Sequence, residues 1–317
     1  MLLGSAYLAK GEPAKATEAY RRAAALVPRD SRGPYLVGRA LLAQGKRGEA
    51  KKEFEAALAL APGYVEPLAQ LVALALAEKQ PDLAAERVRK QISRLPRSAA
   101  LHDLQGQVHL ARGETARAEA AYLKALELGP QRVSTYVRLG DLYAGSGKYD
   151  QALARLDQAL KVNPRNQVAL MLSGVVHQRK GDVPGAVAAY EKVLALNPRS
   201  ALAANNLAWL LAEHGGDKER ALQLAQMAKE LAPEDASVSD TLGWILYQRG
   251  IYHRALALFK ESAVGLPESP EVQYRLGLAS LKVGDKDGAR RALRLAAAAP
   301  ASLAGRDEAR RLLAEIR

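Results

Sequence analysis

Residues 133–166 read VSTYVRLGDLYAGSGKYDQALARLDQALKVNPRN. Leu139, Gly140 and Tyr143 mark a first apolar segment, and Ala152, Leu156 and Ala159 a second. Each has helical spacing, and Gly-Ser-Gly-Lys separates the two. A glycine there suits the left-handed residue that ends a helix. Pro164 closes the second helix, because proline cannot continue an interior hydrogen-bond ladder. The stretch therefore reads as a helix-turn-helix unit.

The same punctuation recurs along the whole chain of 317 residues. Prolines stand at Pro28, Pro62, Pro96, Pro130, Pro164, Pro198, Pro233 and Pro267, 34 residues apart except for one gap of 35. A turn series comprises Gly11, Gly45, Gly113, Gly147, Gly181, Gly216, Gly250 and Gly284, with Arg112, Lys180 and Arg249 placed to suit the negative helix end. A third series, Gly4, Gly38, Gly106, Gly140, Gly174, Gly243 and Gly277, allows close helix approach, as does an alanine series from Ala16 to Ala289. Nine units follow: 1–30, 31–64, 65–98, 99–132, 133–166, 167–200, 201–235, 236–269 and 270–302. Residues 303–317 read as a capping helix, with Ala309, Leu312, Leu313 and Ile316 on one face beside Arg306, Arg310, Arg311 and Arg317. Unit 3 departs from the pattern at Val72, Lys79 and Gln91, which makes it the expected soft point. Unit 7 carries one extra residue around Gly215-Gly216 and Ala208 in place of glycine. Met1 falls inside a unit, so a fragment, or a chain that has lost upstream sequence, is expected.

This order of Leu-Gly-x-x-Tyr, Ala, aromatic, Ala and Pro resembles the tetratricopeptide repeat from end to end. Unit 1 shows it as Leu3, Gly4, Tyr7, Ala16, Tyr20, Ala23 and Pro28. The resemblance implies an all-α, right-handed superhelical solenoid in which the first helix of each unit lines a concave groove. It further implies that protein or peptide segments meet the groove positions. In unit 2 these include Arg32, Tyr35 and Arg39. In units 7 to 9 they include Asn205, Trp209, Asp240, Trp244, Tyr247 and Tyr274. Both tryptophans of the chain occupy the same position on adjacent first helices, roughly 8–10 Å apart. With Tyr247 and Tyr274 they are expected to form one aromatic patch, flanked by Asn205 and Asp240. Two readings stay open: space filling between units, and a ligand patch in which few aromatics carry most of the binding energy.

Composition removes several function classes. With 0 cysteines there are no disulfides, thiolate metal sites or cysteine nucleophiles. Aromatics are 5% and Ala and Leu dominate, against a sheet-rich fold. Gly145–Lys148 has glycines like a phosphate loop, but Tyr149 stands where Ser or Thr is required and no strand precedes it. His102, His109, His177, His214 and His253 contain no metal-binding pair, and no nucleophile elbow is present. No enzyme activity, cofactor, metal or small-molecule substrate is expected. Every apolar run is interrupted by charge, so no transmembrane segment is expected, and the start has no signal-peptide pattern.

The net charge of +12 asks where the excess sits. Groove positions hold Arg32, Arg39, Arg179 and Lys282 against Glu66, Asp103, Asp141, Glu213, Asp240 and Glu271, which predicts a slightly acidic groove. The basic excess then lies outside it, including Arg29, Arg97, Arg132, Arg165 and Arg199 after the prolines. That ladder offers an alternative function, binding of a polyanion such as acidic polysaccharide or nucleic acid. The lack of an aromatic–basic platform argues against nucleic acid. The two-carboxylate clamp and the asparagine ladder of two tetratricopeptide subfamilies are both missing.

Residues 201–317 carry a narrower resemblance. Asn205-Asn206-Leu207-Ala208-Trp209 and Asp240-Thr241-Leu242-Gly243-Trp244 are similar to the bacterial repeat lipoprotein of PEP-CTERM protein sorting and exopolysaccharide systems. It implies a periplasmic or outer-membrane-associated scaffold; without it the expected location is cytoplasmic. Peripheral attachment would require upstream sequence.

Overall fold

A computed structural model describes residues 1–300 and 305–316. Among these residues there are nineteen α-helices and no strand. The chain divides into two compact units, Met1–Val162 and Asn163–Arg317. The first holds α1 (Leu2–Ala9), α2 (Pro13–Leu26), α3 (Arg32–Ala43), α4 (Arg47–Leu60), α5 (Val65–Ala77), α6 (Pro81–Arg94), α7 (Ala99–Ala111), α8 (Thr115–Leu128), α9 (Val133–Gly145) and α10 (Tyr149–Val162). The second holds α11 (Gln167–Lys180), α12 (Val183–Leu196), α13 (Ala201–Glu213), α14 (Lys218–Leu231), α15 (Ala236–Gln248), α16 (Tyr252–Gly265), α17 (Pro270–Lys282), α18 (Lys286–Ala297) and α19 (Arg306–Glu315). Within each unit, consecutive helices pack against one another in order.

One size rule fits the two helices of a repeat together. The glycine of the first helix faces a large side chain of the second, 16 residues later. A Cβ at Gly4 would lie 2.5 Å from Tyr20, at Gly38 2.6 Å from Phe54, at Gly106 2.4 Å from Tyr122 and at Gly174 2.4 Å from Tyr190. Leucine takes the large role opposite Gly140 and Gly277. The two repeats without this glycine change both sides. Val72 shares a core cluster with Val88, and Ala208 shares one with Ala225. Val72 with Val88 roughly keeps the volume while dividing it differently, the class of substitution that close-packed interiors tolerate best, whereas Ala208 with Ala225 is smaller on both sides and its cluster is filled by Leu242, Ile245 and Phe259.

The turns follow the glycine series with one correction. Gly11, Gly45, Gly113, Gly147, Gly181, Gly250 and Gly284 all take positive φ, but in the seventh repeat Gly215 does so, not Gly216. Gly215 keeps the 34-residue spacing from Gly181, so the extra residue falls after the helix end, and Gly216 lies against Leu211, where a Cβ would sit at 2.6 Å. In the third repeat Lys79 holds φ 57, a left-handed position that glycine fills elsewhere. Helices before the prolines end two residues short of them, as at Leu26, Leu60 and Arg94.

Side-chain caps distinguish the units. Asn166, Asp182, Ser200, Asp217, Asp235, Ser269 and Asp285 each accept a backbone N–H at a helix start in the second unit. None of α1 to α9 has such a bond. At the end of the second unit, Ala309 of α19 is buried against Leu293 and Ala296, with Leu312, Leu313 and Ile316 around them. Of the expected capping segment 303–317, residues 303, 304 and Arg317 lie outside the described residues.

Candidate functional site

The second unit gathers its aromatics around a residue that the repeat register does not single out. Arg275 on α17 reaches across two neighbouring first helices. Its guanidinium carbon lies 4.5 Å from the ring centroid of Trp209 on α13 and 5.2 Å from that of Trp244 on α15. Its Nη1 donates to Asp240 Oδ2, also on α15. Both partners of this ion pair are close to fully covered, with side chains 15% and 13% exposed. Burial raises the Asp240 carboxyl above its usual range, and Arg275 offsets only part of that. Each cation–π contact contributes about 0.5–2 kcal/mol, the upper figure applying where water is excluded.

The patch continues along α15. Trp244 stacks on Tyr247 with centroids 5.4 Å apart and planes 6° from parallel. Tyr247 meets Tyr252 edge-on at 5.3 Å, and the Lys282 ammonium lies 5.7 Å from the Tyr252 ring. Trp244 Nε1 donates to Glu213 Oε1 at 2.5 Å, and Gln248 Nε2 donates to the same oxygen at 3.1 Å. The indole planes are thereby fixed while both rings stay partly exposed. Asn205 is buried, and its Oδ1, like Asp240 Oδ1, has no hydrogen-bond partner among the described residues. Tyr274 is bound instead towards the terminal helix, its hydroxyl donating to Glu308 Oε2 at 2.6 Å. Burial and that carboxylate push its ionisation up.

The remaining candidates belong to the first unit. Tyr35 packs at 6.0 Å from Phe54 and edge-on at 5.2 Å from Tyr64. Arg39 lies 6.0 Å from the Tyr35 ring, and Arg32 is paired with Asp30 at 2.7 Å in its own turn. Arg138 of this unit repeats the Arg275 arrangement. It binds buried Asp103 at 3.1 Å, and Thr135 Oγ1 and Gln107 Nε2 donate to the same carboxylate at 2.6 and 3.0 Å. Asp103 to Arg138 and Asp240 to Arg275 are both separations of 35 residues.

These two pairs revise the expected acidity of the first-helix positions. Asp103 and Asp240 are each neutralised by an arginine. Arg32 is likewise neutralised by Asp30, which leaves Glu66, Asp141, Glu213 and Glu271 against Arg39, Arg179 and Lys282, a smaller acidic excess than the sequence predicts. Histidines serve the turns: His109 Nδ1 lies 2.6 Å from Glu114 and His177 Nδ1 2.7 Å from Asp182. Among the described residues no cluster of three His, Cys, Asp or Glu is placed to hold a metal, and no helix is long and apolar enough to cross a membrane.

A tetratricopeptide repeat family model matches residues 1–65, 137–194, 172–236 and 241–304, and a second matches 41–108. The chain belongs to the tetratricopeptide repeat family. Its members are generally non-catalytic scaffolds that mediate protein–protein interactions. Among solved tetratricopeptide structures, the Cut9–Hcn1 hetero-tetramer of the APC/C matches with a TM-score of 0.66 at 17% identity, over 96% of this chain and 59% of that one. PilF of Pseudomonas aeruginosa matches with a TM-score of 0.58 at 21% identity, over 65% of this chain and 93% of that one. YrrB, described as having an unusual peptide-binding site, gives 0.50 at 22% identity, over 60% of this chain and 97% of its own. At such identities the likeness is one of fold. This chain therefore spans 59% of the length of the Cut9–Hcn1 chain it matches. No curated protein matches it.

Proposed function

We propose that the protein is a non-catalytic scaffold that holds segments of partner proteins against its first helices, with the Trp209–Trp244–Tyr247 surface of the second unit as a principal contact. The observation that carries this is the preorganised aromatic surface around Arg275. Three consecutive first helices contribute to it, its indoles are fixed by Glu213 and Arg275, and its rings remain partly open. Rigid aromatics of this kind bring contact area at little cost in side-chain freedom. Asn205, buried on α13, and Tyr274, tied to Glu308 of α19, are proposed as flanking contacts on the same first helices, and Arg32, Tyr35 and Arg39 as a separate contact in the first unit.

The narrower likeness of residues 201–317 supports a place in bacterial envelope or exopolysaccharide assembly, or in protein sorting. A second reading rests on Arg29, Arg97, Arg165 and Arg199, all exposed and without an ion pair among the described residues. These arginines suit a polyanion. Capture of partners from a lysate of the source organism separates the two readings. Under the scaffold reading, W209A/W244A loses partners that wild type retains at 0.5 M salt, with affinity falling about 30-fold or more per hot-spot residue. Unchanged capture by a double variant with a lowered melting point would leave the tryptophans a packing role only. Capture that vanishes with salt and ignores both tryptophans would favour the polyanion.

A further inference from the structure

The third repeat, which departs most from the pattern, opens a cleft on second helices of the first unit. A space of about 400 Å³ lies between α4 and α6, with Leu58, Pro62, Leu68 and Leu83 contributing its apolar wall. Along α6, Leu83, Arg87, Lys90 and Arg94 all line it. Their spacing of four, three and four residues puts them in one stripe about 16 Å long, at 1.5 Å per residue. Arg87 is bound to Glu55 across the cleft, so that pair is mutually satisfied. Lys90 and Arg94 are exposed and have no ion pair among the described residues, and Glu86 is the one other carboxylate on the rim. Beyond Arg94 a second depression adds Arg97 and the apolar Leu95 and Pro96, extending the basic edge.

Gln91 is the second observation. It lines the cleft at a position that Ala57, Ala125 and Ala159 fill in neighbouring repeats, it is 8% exposed, and its Nε2 has no acceptor among the described residues. A buried amide donor without a partner is a cost that core packing alone does not explain. The atom is closed to solvent in this state, so the amide must turn towards the cleft for a ligand to supply its acceptor. Leucine-sized walls, a donor and two unpaired cations in a helical stripe call for the complementary surface: an apolar face edged with carboxylates, at helical spacing.

We propose that this cleft docks an acidic, leucine-bearing amphipathic helix of a partner protein, laid along α6. The site is independent of the tryptophan surface. A partner helix with leucines at i, i+4 and i+7 follows the α6 stripe as one helix follows another. Its glutamates fall beside Lys90 and Arg94, where charge complementarity sets orientation and on-rate.

The test uses the full chain and a fluorescein-labelled synthetic helix of about four turns, with leucines at that spacing and glutamates flanking them. A control peptide carries lysine for glutamate. Fluorescence anisotropy should show the acidic peptide binding wild type, with the lysine peptide at least tenfold weaker. K90E/R94E, at two exposed positions, should weaken the acidic peptide at least tenfold with an unchanged melting point. Gln91→Ala should weaken it several-fold while the melting point holds or rises, which loss of fold cannot imitate. W209A/W244A should bind it as wild type does. The proposal fails if wild type binds both peptides equally or neither, if K90E/R94E binds normally, or if the tryptophan variant is the one that loses the peptide.

Discussion

Replacing Arg275 with methionine tests the centre of the candidate site. The change keeps much of the aliphatic stem against the indoles and removes the charge. Asp240 is then left buried, 13% exposed, with Oδ2 unpaired as Oδ1 already is. Breaking a buried ion pair from one side costs about 3–5 kcal/mol, and the residual exposure of both groups places this one near 3. Loss of the contacts to Trp209 and Trp244 adds about 1 kcal/mol in total. The expected destabilisation is therefore about 3–4 kcal/mol. Lysine at 275 should recover part of it, keeping a charge but not the planar fork. Asp240→Asn removes the other partner, and the double variant R275M/D240N should be more stable than the sum of the singles predicts by about 2 kcal/mol. Urea unfolding followed by tryptophan emission is a local assay, because the chain has 2 tryptophans and both lie here. Acid should relieve R275M. Asp240 already titrates above its ordinary value of 3.8, so the folded state takes up its proton before the unfolded chain does, and stability is regained as pH falls through the folded value. R275M within 0.5 kcal/mol of wild type, or strict additivity with D240N, refutes the ion-pair account.

Two further outcomes follow from packing and from the turns. Gly106→Ala sets a Cβ 2.4 Å from the fully buried Tyr122 ring and should destabilise by about 1–2 kcal/mol net, the overpacking term outweighing the gain in helix propensity. Gly48→Ala, in α4 with open space around it, should stabilise by roughly 0.5–1 kcal/mol, and thermal melts of the two variants decide it. At the turns, the Asp182 carboxyl is held below its ordinary 3.8 by the Gly185 amide and His177, and Glu114 below its ordinary 4.5 by His109. Their stabilisation is complete above those values and is lost as pH falls through the lower folded ones. Melting points measured between pH 6 and pH 2 should therefore drop, and E114Q/D182N should flatten the curve; an unchanged slope counts against the turn latches.

Much of the fold was legible because its punctuation is periodic. Proline and glycine act on the backbone directly, so helix ends were visible without knowledge of the core, and the single turn misplaced, Gly216 for Gly215, lies where the period slips by one residue. The centre of the candidate site was less legible. Trp209 and Trp244 share a register position, which brings them forward at once. Arg275 sits one place along from the groove position taken by Tyr274, and its reach to α13 depends on side-chain length and on what the intervening helix leaves open. The recurrence of Asp and Arg 35 residues apart at Asp103–Arg138 and Asp240–Arg275 is a signal that sequence could have yielded. The α4–α6 cleft has no such signature: Gln91 was visible as a departure, but whether its amide finds a partner is a question of three-dimensional packing.

The glycine-to-aromatic sockets lie within single repeats, 16 residues apart along the chain. Each repeat thus closes its own tightest fit before any neighbour arrives. Chain closure over so short a span is fast, so these contacts should form early and the array should grow outward from whichever repeat closes first. The same locality makes the repeats separable in evolution. Exchanging a Gly–Tyr socket for a Val–Val or Ala–Ala one, as the third and seventh repeats do, leaves the fit of the adjoining repeats to other residues, so surfaces such as the Arg275 cluster can diversify without renegotiating the whole interior.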